Sequence, residues 1–488
     1  MQATTQPSAA SLKYAHKNLY INGELVPATG GATYQLLSPA TEEPIATISW
    51  AQKSDTEATL QAAKEGFAYW SKLPVAERVE WMLKLRTRIL ERGDELRTAI
   101  MDEMGKTWEG SEEDLVSITN ALQFYADEIS SRKSFEIADK EGTHQHEIVS
   151  QPLGVVVAFL AYNFPLLNMG FKLGPALAAG CSIIMKPSES SAISACLIGE
   201  IAHEIGFPKG VINVLCGNRQ NVGIPLCESK IPQLITMIGS TRTAQNLIVQ
   251  SSQTSIKRFS MECGGNAPFI VFEDADMDEA LAIGGGVKFG NSGQICVAPN
   301  RFYIHKSRFD AFVEGMVAKA QSMKVGHGRE NQPDMGPLAN KASVESVHAI
   351  VEQAVAEGGK ILHGGAPLEG PGYYYPPTVI VLDNPEAAVL QNEIFGPVAL
   401  ICAFETKEEV IKYANSVDAG LASYVFTEDE ALQQEMAMAL EFGEVQINGV
   451  KYDIYLPHIG VKDAGISMDC SFMALDDYLQ KKRITKKL

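Results

Sequence analysis

Among its eight Cys and nine His the chain has no C-x-x-C pair and no histidine-rich tract, which leaves no zinc framework to read and no metal to expect. The cysteines, at positions 181, 196, 216, 227, 263, 296, 402 and 470, do not read as a disulfide set either and suit a reducing compartment. Positive charge is in deficit. The 41 Lys and Arg against 59 Asp and Glu leave a net charge of −18, so there is no basic footprint for a phosphate backbone and nucleic acid is not an expected partner. No apolar run approaches the roughly 20 residues of a membrane helix. The opening Met1–Ala10 lacks the charged and apolar regions of a secretory signal. No membrane partner and a cytoplasmic location are therefore expected. Also missing is the G-x-G-x-x-G fingerprint of an ordinary dinucleotide fold.

What is present is enough chain, 488 residues, for two or three domains. Residues 55–131 read as helices, with Leu60, Ala63, Phe67 and Trp70 at steps of three and four and a second run from Arg78 to Met101. From Gly154 short apolar strands alternate with helices: 155–160, 182–185, 211–215 and 234–238. A second series follows at 267–272, 301–304, 378–381, 398–401 and 445–447. The rhythm predicts an α/β protein with two doubly wound parallel-sheet domains. The alternating stretch 145–150 and the basic C-terminus, 481–488, form a candidate small sheet for pairing with another subunit; a plain surface ribbon fits the spacing as well.

Two turns near the junction of the two series carry chemistry. Cys296 ends the glycine-containing turn Asn291-Ser-Gly-Gln-Ile-Cys296, and Glu262 precedes Cys263-Gly264-Gly265. A thiol can take an acyl group, and a carboxylate can activate the water that removes it.

Seven motifs in order then resemble the NAD(P)-dependent aldehyde dehydrogenase superfamily over nearly the whole chain. They are Tyr162-Asn163-Phe-Pro165, Lys186-Pro-Ser188-Glu189, Gly239-Ser240-Thr241, Glu262-Cys-Gly-Gly265, Gly293-Gln-Ile-Cys296, Asn392-Glu393-Ile-Phe395-Gly-Pro397 and Asn448. The resemblance implies that Cys296 is the nucleophile, that the Asn163 side chain and the Cys296 backbone N–H hold the oxyanion, and that Glu262 activates water against the thioester. Members that pass the acyl group to coenzyme A lack this carboxylate, so hydrolysis to a free acid is implied. The alternatives are a coenzyme A-acylating semialdehyde dehydrogenase and a non-catalytic structural relative.

The same resemblance implies a cofactor site at Tyr162, Lys186, Ser188, Glu189, Gly239, Ser240, Glu393 and Phe395. A carboxylate at Glu189 would repel a 2′-phosphate, so NAD is preferred, with NADP possible through Lys186. Lys172, on the helix after Asn163, joins the catalytic set; Asp469 stands where the family often has a Glu partner for it, in a proton relay or a plain ion pair. Substrate contacts are implied for Tyr162, Phe171, Gly290, Ile295, Val297, Lys451, Tyr452 and His458.

Several positions depart from the family pattern. Ala161-Tyr162-Asn163 replaces the common Pro-Trp-Asn and adds a phenol. Gly290 opens the pocket where succinate semialdehyde enzymes tend to carry an arginine. Pro457-His458 stands in place of the common Pro-Phe, as in aminobutyraldehyde dehydrogenases. Lys451 and His458 suit an anionic aldehyde, whereas Asp453 suits an amino-aldehyde. The expected substrate is a small polar or anionic aldehyde. The expected division is a cofactor domain of residues 1–132 and 153–263, a catalytic domain of 264–463, and an oligomerisation segment of 133–152 and 464–488, assembling as a homodimer or homotetramer.

Overall fold

The computed structural model describes residues 12–488; the stretch read for a leader, Met1–Ala10, lies outside them. The first series forms an eight-stranded sheet in the order Glu24–Val26, Leu19–Ile21, Ile212–Val214, Ser182–Lys186, Val155–Phe159, Pro232–Gly239, Arg258–Cys263, Gly465–Ile466. Its five inner strands are parallel, and antiparallel strands close both edges. Every residue of Val155–Phe159 is buried, as expected of a parallel strand covered on both faces. The order reverses beside this strand: Ser182–Lys186 and Ile212–Val214 run outward on one side, Pro232–Gly239 and Arg258–Cys263 on the other. Such a reversal opens a crevice at the carboxyl ends of the strands.

Four helices, Lys53–Trp70, Val75–Glu91, Gly93–Met104 and Trp108–Ser131, occupy the region read as helical. The last of them packs closely on Pro165–Ala179, the helix that follows Asn163. A Cβ on Gly170 would lie 2.7 Å from the Ile118 Cα, so only glycine permits this approach. The buried Asp114 takes the Leu166 and Leu167 N–H groups at 2.9 and 3.1 Å. A carboxylate at a helix N-terminus satisfies orphan donors and suits the helix dipole, and here it fixes where the Asn163 turn enters its helix.

The second series forms a seven-stranded sheet, Lys360–His363, Thr378–Val381, Val398–Phe404, Pro299–His305, Ala267–Val271, Ala422–Phe426, Glu444–Ile447, parallel except at Lys360–His363. Alternate side chains feed two cores: Phe269 and Val271 enter one, Ile270 the other, the period of two that a pleated strand imposes. Ala422–Phe426 and Arg258–Cys263 escaped the sequence reading. The former is buried at every position and shows no alternation; the latter begins with a charge and runs into a turn.

A third sheet joins Leu479–Lys487, His144–Pro152 and Phe135–Ile137, all antiparallel. The stretch just before it stays with the first domain: Gly465–Ile466 pairs with Met261 and Glu262, and Leu475 and Tyr478 join the first core. All eight cysteines are free thiols. Among the described residues no helix is long and apolar enough to cross a membrane, and no group of three or more His, Cys, Asp or Glu is placed to hold a metal.

Candidate active site

Cys296 lies just ahead of Pro299–His305 at the end of a strained turn. Asn291 and Ser292 take φ of 48° and 56°, a left-handed conformation that non-glycine residues rarely hold without support. The support is visible in the bonds the turn makes. Ser292 Oγ donates to the Gly336 carbonyl at 2.7 Å, Gln294 Oε1 accepts from the Ala339 N–H at 3.0 Å, and Asn291 Nδ2 donates to the Asn163 carbonyl at 3.0 Å. Cys296 alone among the eight cysteines is not fully buried. Burial still pushes its thiol up, and neighbouring His458 pulls it down.

Asn163 is buried against this turn. Its Nδ2 donates to the Gln294 carbonyl at 3.1 Å, and its Oδ1 accepts from Asn168 at 3.2 Å. Asn168 therefore fixes the amide orientation and leaves the N–H₂ edge toward the segment leading to Cys296.

Glu262 is the penultimate residue of the strand Arg258–Cys263 and is 3 % exposed. Its Oε1 has no hydrogen-bond partner and lies 3.6 Å from His458 Nε2. Burial raises its pKa to about 8, with His458 and Lys172 pulling down and Asp469 pushing up. A buried carboxylate with an open lone pair and a pKa near neutrality is suited to take a proton from water.

Lys172, fully buried on Pro165–Ala179, meets both oxygens of Asp469 at 2.5 and 2.7 Å. The shorter carboxylate thus reaches the lysine without a break. Asp469 is brought there by the pairing of Met468–Asp469 with His458–Ile459, which joins the Lys172 pair to the wall that carries His458.

The cofactor residues split into two groups. Lys186 and Glu189 line a cavity of about 260 Å³ at the carboxyl ends of the first sheet, together with Phe159, Arg219, Thr243 and Asn246. Burial lowers the Lys186 ammonium, and Glu189 draws it back up. Gly239 ends its strand, and Ser240 caps the helix Thr241–Ser252 by accepting from the Thr243 N–H at 3.3 Å. Ser188 Oγ accepts from the Ser190 N–H at 3.3 Å within the turn after Lys186.

The second group is Glu393 and Phe395. Glu393 is half-buried, its Oε1 is shielded from solvent and lacks a partner, and burial raises its pKa to about 7. A Cβ on Gly264 would lie 2.3 Å from both Glu393 carboxylate oxygens; glycine is what admits that carboxylate. Phe395 meets Tyr162 edge-on, ring centroids 6.0 Å apart. A shielded carboxylate oxygen without a partner and a cavity edged by Lys186 and Glu189 match the hydroxyls of a dinucleotide, so the residues fit an NAD(P) cofactor.

Around the thiol, a Cβ on Gly290 would meet only Ile295 Cδ1, at 3.9 Å, so that side is open. Ile295 is partly buried and Val297 buried, both against the second domain's core. Tyr452 stands 6.2 Å from His458, ring to ring, and its hydroxyl is 3.0 Å from that of Tyr424, which donates to the Val297 carbonyl at 2.8 Å. Phe171 packs against the first core. Lys451 and Asp453, whose opposite charges pointed to different substrates, lie 3.3 Å apart as an ion pair.

Sequence reasoning missed Glu444, Arg219, Lys288 and Tyr424. Glu444 opens a strand and reads as an ordinary edge acid; its Oε1 is 2.6 Å from His458 Nδ1. Arg219 sits in a helical turn remote from every motif. Lys288 is fully buried, donates to Asn300 Oδ1 at 2.8 Å and to the Ile394 carbonyl at 3.2 Å, and burial lowers it to about 7. Only its place on an apolar helix face hinted at this.

Fold and site together define a class: two α/β domains, one with a dinucleotide crevice, facing each other across a thiol and a buried carboxylate. The aldehyde dehydrogenase family model matches residues 25–484, and the chain belongs to that family. It is 35% identical over 468 residues to the mitochondrial succinate-semialdehyde dehydrogenase of Oryza sativa subsp. japonica, covering 95% of this chain and 88% of that protein. To the NADP(+) succinate-semialdehyde dehydrogenase of Saccharomyces cerevisiae it is 35% identical over 472 residues, covering 96% and 94%. The solved NAD+ complex of an aldehyde dehydrogenase from Bacillus cereus superimposes with a TM-score of 0.95 at 31% identity, over 99% of both chains. The chain is an NAD(P)-dependent aldehyde dehydrogenase, an enzyme that oxidises an aldehyde to its carboxylic acid.

Proposed function

We propose that Cys296 is the nucleophile, Asn163 the oxyanion donor and Glu262 the base of a hydrolytic aldehyde oxidation. The observation that carries this is Glu262: a buried carboxylate with an unpaired oxygen, beside the cleft that holds the thiol. The Cys296 sulfur attacks the aldehyde carbon. The Asn163 amide and the Cys296 N–H hold the oxyanion of the resulting thiohemiacetal. Bound NAD(P)+ supplies a hydride acceptor. Glu262 then takes a proton from the water that attacks the thioester, and the acid leaves. The Lys172–Asp469 pair sets the local field at Glu262. Coenzyme A acylation needs no such base, so the free acid is the product.

Both nicotinamide cofactors fit, and NAD+ is the preferred one: Glu189 would hold the ribose hydroxyls and repel a 2′-phosphate, which Lys186 and Arg219 would offset only in part. The substrate is a small polar or anionic aldehyde. Lys451 is neutralised by Asp453, which leaves Tyr452 and His458 as the polar groups of the wall, and two relatives are named for the anionic succinate semialdehyde. The division into a cofactor part, a catalytic part and an oligomerisation ribbon stands as part of this reading. So does assembly through the exposed Phe135, Ile137 and Ile484 of the ribbon.

The deciding experiment is a panel of about twenty aldehydes with both cofactors, ranked by kcat/KM, with the product identified by mass. A polar aldehyde, NAD+ and the free acid should lead. Aldehyde-dependent NADH formation by Cys296→Ala would sink the assignment of the nucleophile, and an acyl-coenzyme A product would sink that of Glu262.

A further inference from the structure

His458 does more than wall the entrance. Its Nε2 is 3.9 Å from the Cys296 Sγ, and its Nδ1 is 2.6 Å from Glu444 Oε1. The Ile459 N–H donates to the same Glu444 oxygen at 3.3 Å, so carboxylate and ring are held by one strand. His458 and Glu444 side chains are only 12% and 10% exposed, and Tyr452 packs edge-on against the ring. A carboxylate on Nδ1 puts the hydrogen there and turns the Nε2 lone pair toward the thiol.

We propose that Cys296, His458 and Glu444 form a relay in which His458 Nε2 takes the thiol proton, giving a thiolate beside an imidazolium before cofactor or aldehyde binds. The inference rests on Cys296 being the nucleophile. The S–H bond breaks, its electron pair stays on sulfur, and an N–H bond forms at Nε2; nothing is oxidised or reduced. Glu444 keeps its charge and acts as a positioning residue.

The charged surroundings hold the imidazolium and, on balance, keep the thiol above its ordinary value. Facing the ring are Glu262, Glu444, Cys296 and the Tyr452 ring, and behind Glu262 stand Asp469 and Lys172. Burial disfavours the imidazolium, but Glu262, Cys296 and Glu444 reverse this and hold His458 well above the usual histidine range. For the thiol, burial is the largest opposing influence, with Glu262 and Glu393 adding to it, and His458 is the group that counters them. The imidazolium thus offsets part of the cost of a buried thiolate.

The test uses the full-length, cofactor-free protein. The rate of Cys296 alkylation by iodoacetamide is followed against pH, with the labelled site read by mass spectrometry. His458→Phe, which installs the residue common in the family, should move the alkylation midpoint up by at least about one unit and slow labelling about tenfold at pH 7. Glu444→Gln should move it in the same direction by less. Unmoved midpoints in two variants that melt like wild type would overturn the relay, and a shift in His458→Phe alone would remove Glu444 from it. Independently of any His458 variant, the ultraviolet thiolate absorbance of wild type minus Cys296→Ala should be present at neutral pH without cofactor; its appearance only after NAD+ is added would also overturn the relay. Turnover by Cys296→Ala, in contrast, would overturn the nucleophile and not the relay alone.

Discussion

Removing either partner of the Lys172–Asp469 pair should shift the pH dependence of acyl-enzyme hydrolysis in opposite directions. Lys172 is fully buried and Asp469 is 3% exposed, and Glu262 lies within the field of both. Burial raises Glu262, His458 and Lys172 lower it and Asp469 raises it, the balance lying at about 8. Hydrolysis needs Glu262 ionised, so its rate in wild type should climb as pH rises through about 8 and then level. Asp469→Asn deletes a negative charge, lowers the Glu262 pKa and moves the midpoint to lower pH. Lys172→Met deletes a positive charge and moves it higher. Each single variant also strands a buried charge, which costs about 3–5 kcal/mol, whereas removing both partners is close to neutral. With roughly 2–4 °C of Tm per kcal/mol in domains of this size, the single variants should melt about 6–20 °C lower and the double variant should recover most of the loss. The assays are thermal melting and single-turnover hydrolysis of the acyl-enzyme from pH 6 to 10. Midpoints that move in the same direction, or a double variant no more stable than the singles, would refute the reasoning.

Three further outcomes are expected. Glu262→Gln should retain a burst of NADH and lose steady-state turnover by about 10²–10⁴-fold, the range of a general base; equal loss of burst and steady state would count against the assignment. Gly264→Ala should displace the Glu393 carboxylate, raising the KM for NAD+ about tenfold or more for the loss of a charged hydrogen bond; an unchanged KM would leave that carboxylate without a part in cofactor binding. Glu189→Gln should lower the NAD+ to NADP+ ratio of kcat/KM by about tenfold; an unchanged ratio would leave that carboxylate without a part in cofactor choice.

Much of the fold is legible because buried parallel strands are short continuous apolar runs. Val155–Phe159, Ser182–Lys186, Ala267–Val271 and Thr378–Val381 fall where the hydrophobic runs put them, with ends displaced by a residue or two. The first fifty residues were not legible in the same way. Strands such as Leu19–Ile21 and Glu24–Val26 are three residues long, too short for alternation to register, and they exist because the sheet edge beside Ile212–Val214 is there to pair with. The ribbon was half legible: alternation at 145–150 and the basic tail at 481–488 marked the two strands that pair as His144–Pro152 and Leu479–Lys487, but nothing marked the third, Phe135–Ile137.

The sequence by itself determined the family chemistry, since a thiol, a carboxylate and an amide stand in motifs whose order survives in one dimension. It did not determine the state of those groups. Protonation depends on burial and on charges within a few ångströms, and at Cys296 those charges come from Glu262, Glu393 and His458, with Glu444 bound to the far side of the imidazole, each on a different segment. Glu444 had no motif to mark it, and Lys451 and Asp453 gave a contradictory charge reading until proximity cancelled them. Tertiary structure decided these matters because electrostatic interaction follows distance in space and the local dielectric, neither of which is carried by position along the chain.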